Sequence, residues 1–280
     1  MSAARFTHLV VGVCGELPGH QAIEMAAEMA RVFSAEFSAL MIEDGSSDIL
    51  ACLPFAREYV PGRAGWQEIG ASDIEARRSS VRRRARDVFS EIASAQGLIA
   101  GFEVLKGGAP GDLAGAIAHY DIVALAAPAQ AGEWMMLPFS AFGDAALHAR
   151  AVTLFLPARI ARRTGPVAAL LNAGDHAGLE LAAQLARATG ERMVILAAGL
   201  QDTAREAEAF AAQADLPRER LRIIDIDGGT LGEITQMLGD TGERMLVLGR
   251  AFLPQPGLEH VIRLAAARGI PVFIPGAPGS

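Results

Sequence analysis

The sequence predicts an α/β fold made of two tandem copies, each a five-stranded, mainly parallel sheet with helices on both faces. Short apolar runs alternate with longer amphipathic stretches along the whole chain, the pattern of strands joined by crossover helices. The order of these segments is given twice. The length, 280 residues, is also about twice that of a domain of roughly 100–150 residues.

In the first copy Leu9 to Val13 is a continuous apolar run of strand length. A turn over Gly15 to Gly19 leads into Gln21 to Phe33, where Ile23, Ala26, Ala27, Ala30 and Phe33 share one helical face. Phe37 to Ile42 is the second strand. Gly45 to Ser72, with two prolines and four glycines, is expected to be a long loop or a partly ordered insertion. Asp73 to Ser94 is a helix in which Ile74, Val81, Val88 and Ile92 form the apolar side. Phe102 to Leu105 is the third strand, Asp112 to His119 a helix, Ile122 to Ala126 the fourth strand, Ala141 to Ala149 a helix and Val152 to Leu156 the fifth strand.

The second copy repeats the order. Strands are expected at Val167 to Leu171, Met193 to Ala197, Leu221 to Ile226, Met245 to Leu248 and Val272 to Ile274. Helices are expected at His176 to Thr189, Thr203 to Ala214, Leu231 to Leu238 and Leu258 to Arg268. Gly111 and Ile117 correspond to Gly228 and Ile234 at one offset, and AVTLFLP (Ala151 to Pro157) resembles GIPVFIP (Gly269 to Pro275). The copies are residues 1–157 and 166–280, and Ala158 to Gly165 links them.

A formal charge of −7 argues against a nucleic-acid partner. Cys14 and Cys52 form neither a disulfide framework nor a metal-ligand spacing, which suits a reducing compartment. No apolar run approaches the roughly 20 residues that cross a bilayer, and Leu9 to Val13 is too short for a signal-peptide core. A cytoplasmic protein without a membrane partner is expected.

Particular residues resemble the universal stress proteins in their tandem form. These are VGVCGE (Val11 to Glu16) before the alanine-rich AIEMAAEMA (Ala22 to Ala30), and ALLNAGDHAGLELAAQLA (Ala169 to Ala186) in the second copy. GDLAGAIAHYDIVALAA (Gly111 to Ala127) and ERMLVLGR (Glu243 to Arg250) add to them. The resemblance spans nearly the whole chain outside the insertion, where LPFAREYV (Leu53 to Val60) looks like a stretch of some tandem members. It implies a Rossmann-like, adenine-nucleotide-binding type of fold and a stress-associated or regulatory binding protein rather than an enzyme. It also implies pairing of the two fifth strands into an internal pseudo-dimer, with a homodimer through another surface as a further option. The alternative is a nucleotide- or other small-ligand-binding protein or enzyme of the same superfamily, similar to electron-transfer flavoproteins. No SGGxDS-type phosphate loop follows either first strand.

In ATP-binding members of the family an acid at the end of strand one faces the adenosine. A Gly-x-x-Gly, nine-residue, Gly-Ser/Thr segment after strand four wraps the phosphates, because glycine lets backbone N–H groups come close to phosphate oxygens. At the matching positions stand Cys14 and Asn172 for the acid, and Ala127 and Gln130 for the first copy's glycines. Gly143 stands for the third glycine but is followed by Asp144. The second copy keeps Gly249, has Phe252 for the second glycine, and reaches Gly257 after only four more residues. No cofactor is therefore expected, and ATP or AMP is disfavoured. Phe252 and the Trp134, Met135 and Met136 group are read as plugs of the vacated nucleotide positions.

Other features have bland readings that outweigh the sharp ones. Arg77, Arg78, Arg82, Arg83, Arg84 and Arg86 are read as a solvated helix face rather than an anion site. Six histidines show no metal-ligand spacing. Cys14 is read as a small buried apolar residue, although a helix N-terminus beside it would activate a thiol.

Overall fold

The structure, a computed structural model, describes residues 6–14, 17–43, 57–59, 65–68, 70–107, 109–127, 137–172, 174–198, 200–213, 215–226, 238, 241–253 and 257–277. The first half comprises β1 (His8–Cys14), α1 (His20–Phe33), β2 (Glu36–Glu43), β3 (Arg57–Tyr59), β4 (Trp66–Glu68), α2 (Ala71–Ala95), β5 (Ala100–Lys106), α3 (Pro110–Ile117), β6 (Ile122–Ala126), α4 (Leu137–His148) and β7 (Val152–Leu156). The second comprises β8 (Val167–Asn172), α5 (His176–Thr189), β9 (Met193–Ala198), α6 (Leu200–Gln213), β10 (Leu221–Asp225), β11 (Met245–Leu248), α7 (Gly257–Arg268) and β12 (Val272–Ile274). The helix expected at Leu231 to Leu238 lies outside the described residues except for Leu238.

Two separate five-stranded sheets do not form. All ten core strands make one sheet in the order β10-β9-β8-β11-β12-β7-β6-β1-β2-β5. Each half is parallel, and the halves join where β12 runs antiparallel to β7 with Val272 opposite Phe155 and Ile274 opposite Thr153. Apart from Thr153, whose hydroxyl donates to the Ala146 carbonyl at 2.9 Å, these two strands are apolar, and every residue in them is buried. Leaving their edges open would expose unpaired backbone groups, and the junction removes both edges at once.

Alternation along the strands splits the core in two. Leu9, Val11, Val167, Ala169 and Phe273 face the side covered by α1, α2, α5 and α6. Val10, Val123, Phe155, Leu170 and Val272 face α3, α4 and α7. Both clusters run across the junction. The linker helps to hold the halves in place: Ile160 N–H donates to Gln21 Oε1 of α1 at 3.1 Å, and Ala161 N–H donates to the Gly269 carbonyl after α7 at 2.7 Å. Arg244, at the start of β11, is buried against Glu28 of α1, with Glu191 3.9 Å away.

The insertion is partly ordered: it contains an antiparallel ribbon, β3 with β4, with Tyr59 paired in register with Trp66. One expectation about the first half needs correction. In α2 the buried residues are Ile74, Ala85, Phe89, Ile92 and Ala93, whereas Val81 is exposed. The inward stripe of this helix runs through Ile74, Arg78, Arg82, Ala85, Phe89 and Ile92, and Val81 falls beside it on the solvent side.

Candidate functional site

Within each half the strands lie in the order 3-2-1-4-5, so the connections leave in opposite directions from the first and fourth strands. A crevice at the carboxyl ends of those strands is where open α/β sheets bind ligands. Of the predicted site residues, Cys14 and Ala127 come together at the ends of β1 and β6, and Asn172 and Gly249 at the ends of β8 and β11.

In the first half α4 fills the space beside this crevice. The fully buried Phe142 ring covers Gly12, two residues before Cys14, so closely that a Cβ on Gly12 would overlap its Cε1 edge. Cys14 packs against the same apolar cluster, and burial pushes its thiol up to about 12. A thiol held protonated is a poor nucleophile. Ala127 N–H donates to the Leu156 carbonyl at 2.7 Å, extending the β6–β7 pairing. Gly143 has a different place from the one its sequence position suggested. It lies inside α4, where a Cβ would come within 2.7 Å of Leu258 in α7 and 3.3 Å of Leu125 in β6. Its lack of a side chain serves helix packing. Gln130, Trp134, Met135 and Met136 lie outside the described residues.

The second half carries a carboxylate at the equivalent crevice. Asp175 caps α5, its Oδ1 accepting the Gly178 N–H at 2.9 Å. A Cβ on Gly249 would collide with the other carboxylate oxygen and lie 3.0 Å from the Leu170 carbonyl. Gly174 has φ +81°, and its N–H donates to Glu206 at 3.3 Å. Asn172 is partly buried, and its carbonyl accepts the Asp175 N–H at 3.2 Å. Phe252 ends a short 3-10 turn from Arg250, donates its N–H to the Gly249 carbonyl at 3.0 Å and is half-buried against the apolar cluster.

Arg250 follows Gly249 and reaches across the junction. Its guanidinium donates to the Leu147 carbonyl near the end of α4 at 2.6 Å and to the Pro275 carbonyl after β12 at 3.0 Å. Burial lowers its pKa, while Asp175 favours the charged form. The candidate site of the second half is thus attached to the first half's helix α4.

Phe142, Asp175 and Arg250 were not singled out in the sequence. Asp175 had a readable signal, an N-cap residue just before an amphipathic run. Phe142 and Arg250 had none, because their partners lie far away in sequence. The arginine run is only partly a solvated face. Arg82 pairs with the buried Glu43 at 2.6 Å and with Glu75, and the Arg82 hydrogen bond holds the Glu75 carboxyl below its usual range. The Arg86 guanidinium stands 5.1 Å from the centre of the Phe102 ring. Among the described residues no three His, Cys, Asp or Glu side chains are grouped to hold a metal ion, and no helix is long and apolar enough to cross a membrane.

No protein-family model and no curated protein matches the chain. Solved structures do. A universal stress protein from Archaeoglobus fulgidus DSM 4304 is similar over 95% of this chain and 97% of that one, with a TM-score of 0.64 and 13% identity. A protein provisionally assigned to the universal stress proteins from Pseudomonas aeruginosa UCBPP-PA14 covers 96% and 92%, with a TM-score of 0.54 and 14% identity. A protein of unknown function from Pseudomonas aeruginosa PAO1 shares the same coverages, with a TM-score of 0.53 and 14% identity. At such identities the likeness is one of architecture, and it extends from end to end of both chains. The chain therefore has the tandem universal stress protein fold, with its ten core strands in a single sheet.

Proposed function

We propose that the chain is a universal stress protein-like, non-enzymatic binding protein with a stress-associated or regulatory role, in which neither crevice takes ATP as the family's nucleotide-binding members do. The observation that carries this reading is the Asp175 carboxylate. It stands against Gly249, the first glycine of the segment that wraps the phosphates in ATP-binding members, and a negative charge there repels phosphate. Supporting it in the first half are the Phe142 ring over Gly12, the desolvated Cys14 in place of an acid, and Gly143 turned toward Leu258.

Calorimetry with magnesium and ATP tests the reading. Binding no tighter than the millimolar range is expected, about −4 kcal/mol, and micromolar affinity would overturn it. Phe252→Gly should not create ATP binding, because the turn after Gly249 remains short and Asp175 remains in place. The same substitution should lower stability by about 2 kcal/mol, less than for a fully buried ring because Phe252 is half-buried. Unchanged urea unfolding would remove Phe252 as a packing plug.

A further inference from the structure

A largely apolar cavity lies away from the strand ends. It is a groove of about 610 Å³ between α3 and α4, lined mainly by alanines, among them Ala114, Ala118, Ala141 and Ala145. A second cavity of about 340 Å³ lies at the junction of the halves, with Asp121, Glu180 and Gln184 in its wall. Ala118 and Arg150 line both, so an apolar compartment passes into a polar one at a single arginine.

The charges around that arginine are unequal in their freedom. Asp121 accepts the Thr7 N–H at 2.7 Å, the Thr7 hydroxyl at 2.8 Å and the His8 N–H at 3.1 Å. Glu180 accepts the Gln184 amide at 3.2 Å. At the groove's own rim, His148 Nδ1 is held 2.7 Å from the Asp144 carbonyl. Arg150 is exposed and has no ion pair among the described residues. A concave, largely apolar space with Arg150 at its end, unpaired among the described residues, and with Asp144 and His148 on its α4 side, suits a molecule with an apolar body and one anionic group placed at the arginine end.

We propose that the groove and the junction cavity form one binding site for a single-chain aliphatic carboxylate, its chain along the alanines of α3 and α4 and its carboxylate on Arg150. Pro110 and Ala118 lie about 12 Å apart along α3 and the turn after it, which suits a medium-length chain. This site is separate from the strand-end crevices and does not depend on whether they take nucleotide.

Decanoate and decanol, titrated by calorimetry into the full chain, distinguish the elements of the site. One decanoate per chain should bind saturably. Ala145→Trp and Ala114→Phe, each filling the groove from a different helix, should abolish binding while thermal unfolding remains cooperative. Arg150→Gln should weaken decanoate about tenfold and leave decanol unchanged. Absence of saturable decanoate binding to the unaltered chain would overturn the proposal. So would binding unaffected by both groove-filling variants, or an Arg150→Gln effect that is absent or equal for acid and alcohol.

Discussion

The Phe142 ring rests directly on the backbone of Gly12, in the strand that ends at Cys14. The contact takes up space beside the first crevice, and it exists only because residue 12 lacks a side chain.

Gly12→Ala should therefore destabilise the protein by about 2–3 kcal/mol through overpacking, and Phe142→Leu in the same chain should recover part of the loss. Urea unfolding of both single variants and the double variant gives the coupling. Strictly additive effects would show that the ring and the glycine do not meet.

Cys14 should resist alkylation in the native state. With Cys52→Ser leaving one thiol, iodoacetamide at pH 8 should modify the unfolded chain much faster than the folded one. Native reactivity should rise only as pH approaches about 12, where the half-buried thiol ionises, against 9.0 for a free one. The folded state holds its proton to higher pH than the unfolded state. The resulting stability is present below pH 9 and is lost between about 9 and 12. Equal labelling rates for folded and unfolded chains at pH 8 would show that the fold does not hold the thiol protonated.

Arg250→Ala removes the donor to two carbonyls on opposite sides of the junction. A loss of about 2 kcal/mol is expected, since hydrogen bonds to charged groups contribute more than neutral ones and the carbonyls lose their partner. The loss should appear as earlier unfolding in calorimetry. An unchanged midpoint would mean that water replaces the guanidinium without cost.

Residues Met1 to Arg163 expressed alone should self-associate, because β7 would lose the antiparallel partner that Val272 to Ile274 provides. Sedimentation at low micromolar concentration reads this directly. A well-behaved monomer would mean that the edge of β7 needs no cover.

Much of the secondary structure is a local property and was legible in the sequence. Val152 to Leu156, His176 to Thr189, Met245 to Leu248 and Val272 to Ile274 have the same limits in the structure. Each apolar run is compact, and Pro157, Gly190, Gly249 and Pro275 punctuate the ends; Gly190, for instance, caps α5 at φ +74°. The repeat likewise placed Cys14, Ala127, Asn172 and Gly249 at strand ends.

What covers those ends was decided by the tertiary structure. Periodicity tells which face of a helix is apolar, but not which residue of another element it meets. The sequence could not show that Phe142 lies on Gly12, that Gly143 faces Leu258, or that Val81 is exposed while Arg82 reaches Glu43. Periodicity alone could not show that two five-stranded units become one sheet; the pairing of the two fifth strands came from the family resemblance. That outcome depends on the β7 and β12 backbones meeting antiparallel across the linker, and hydrogen bonds between strands so far apart in sequence leave no local trace.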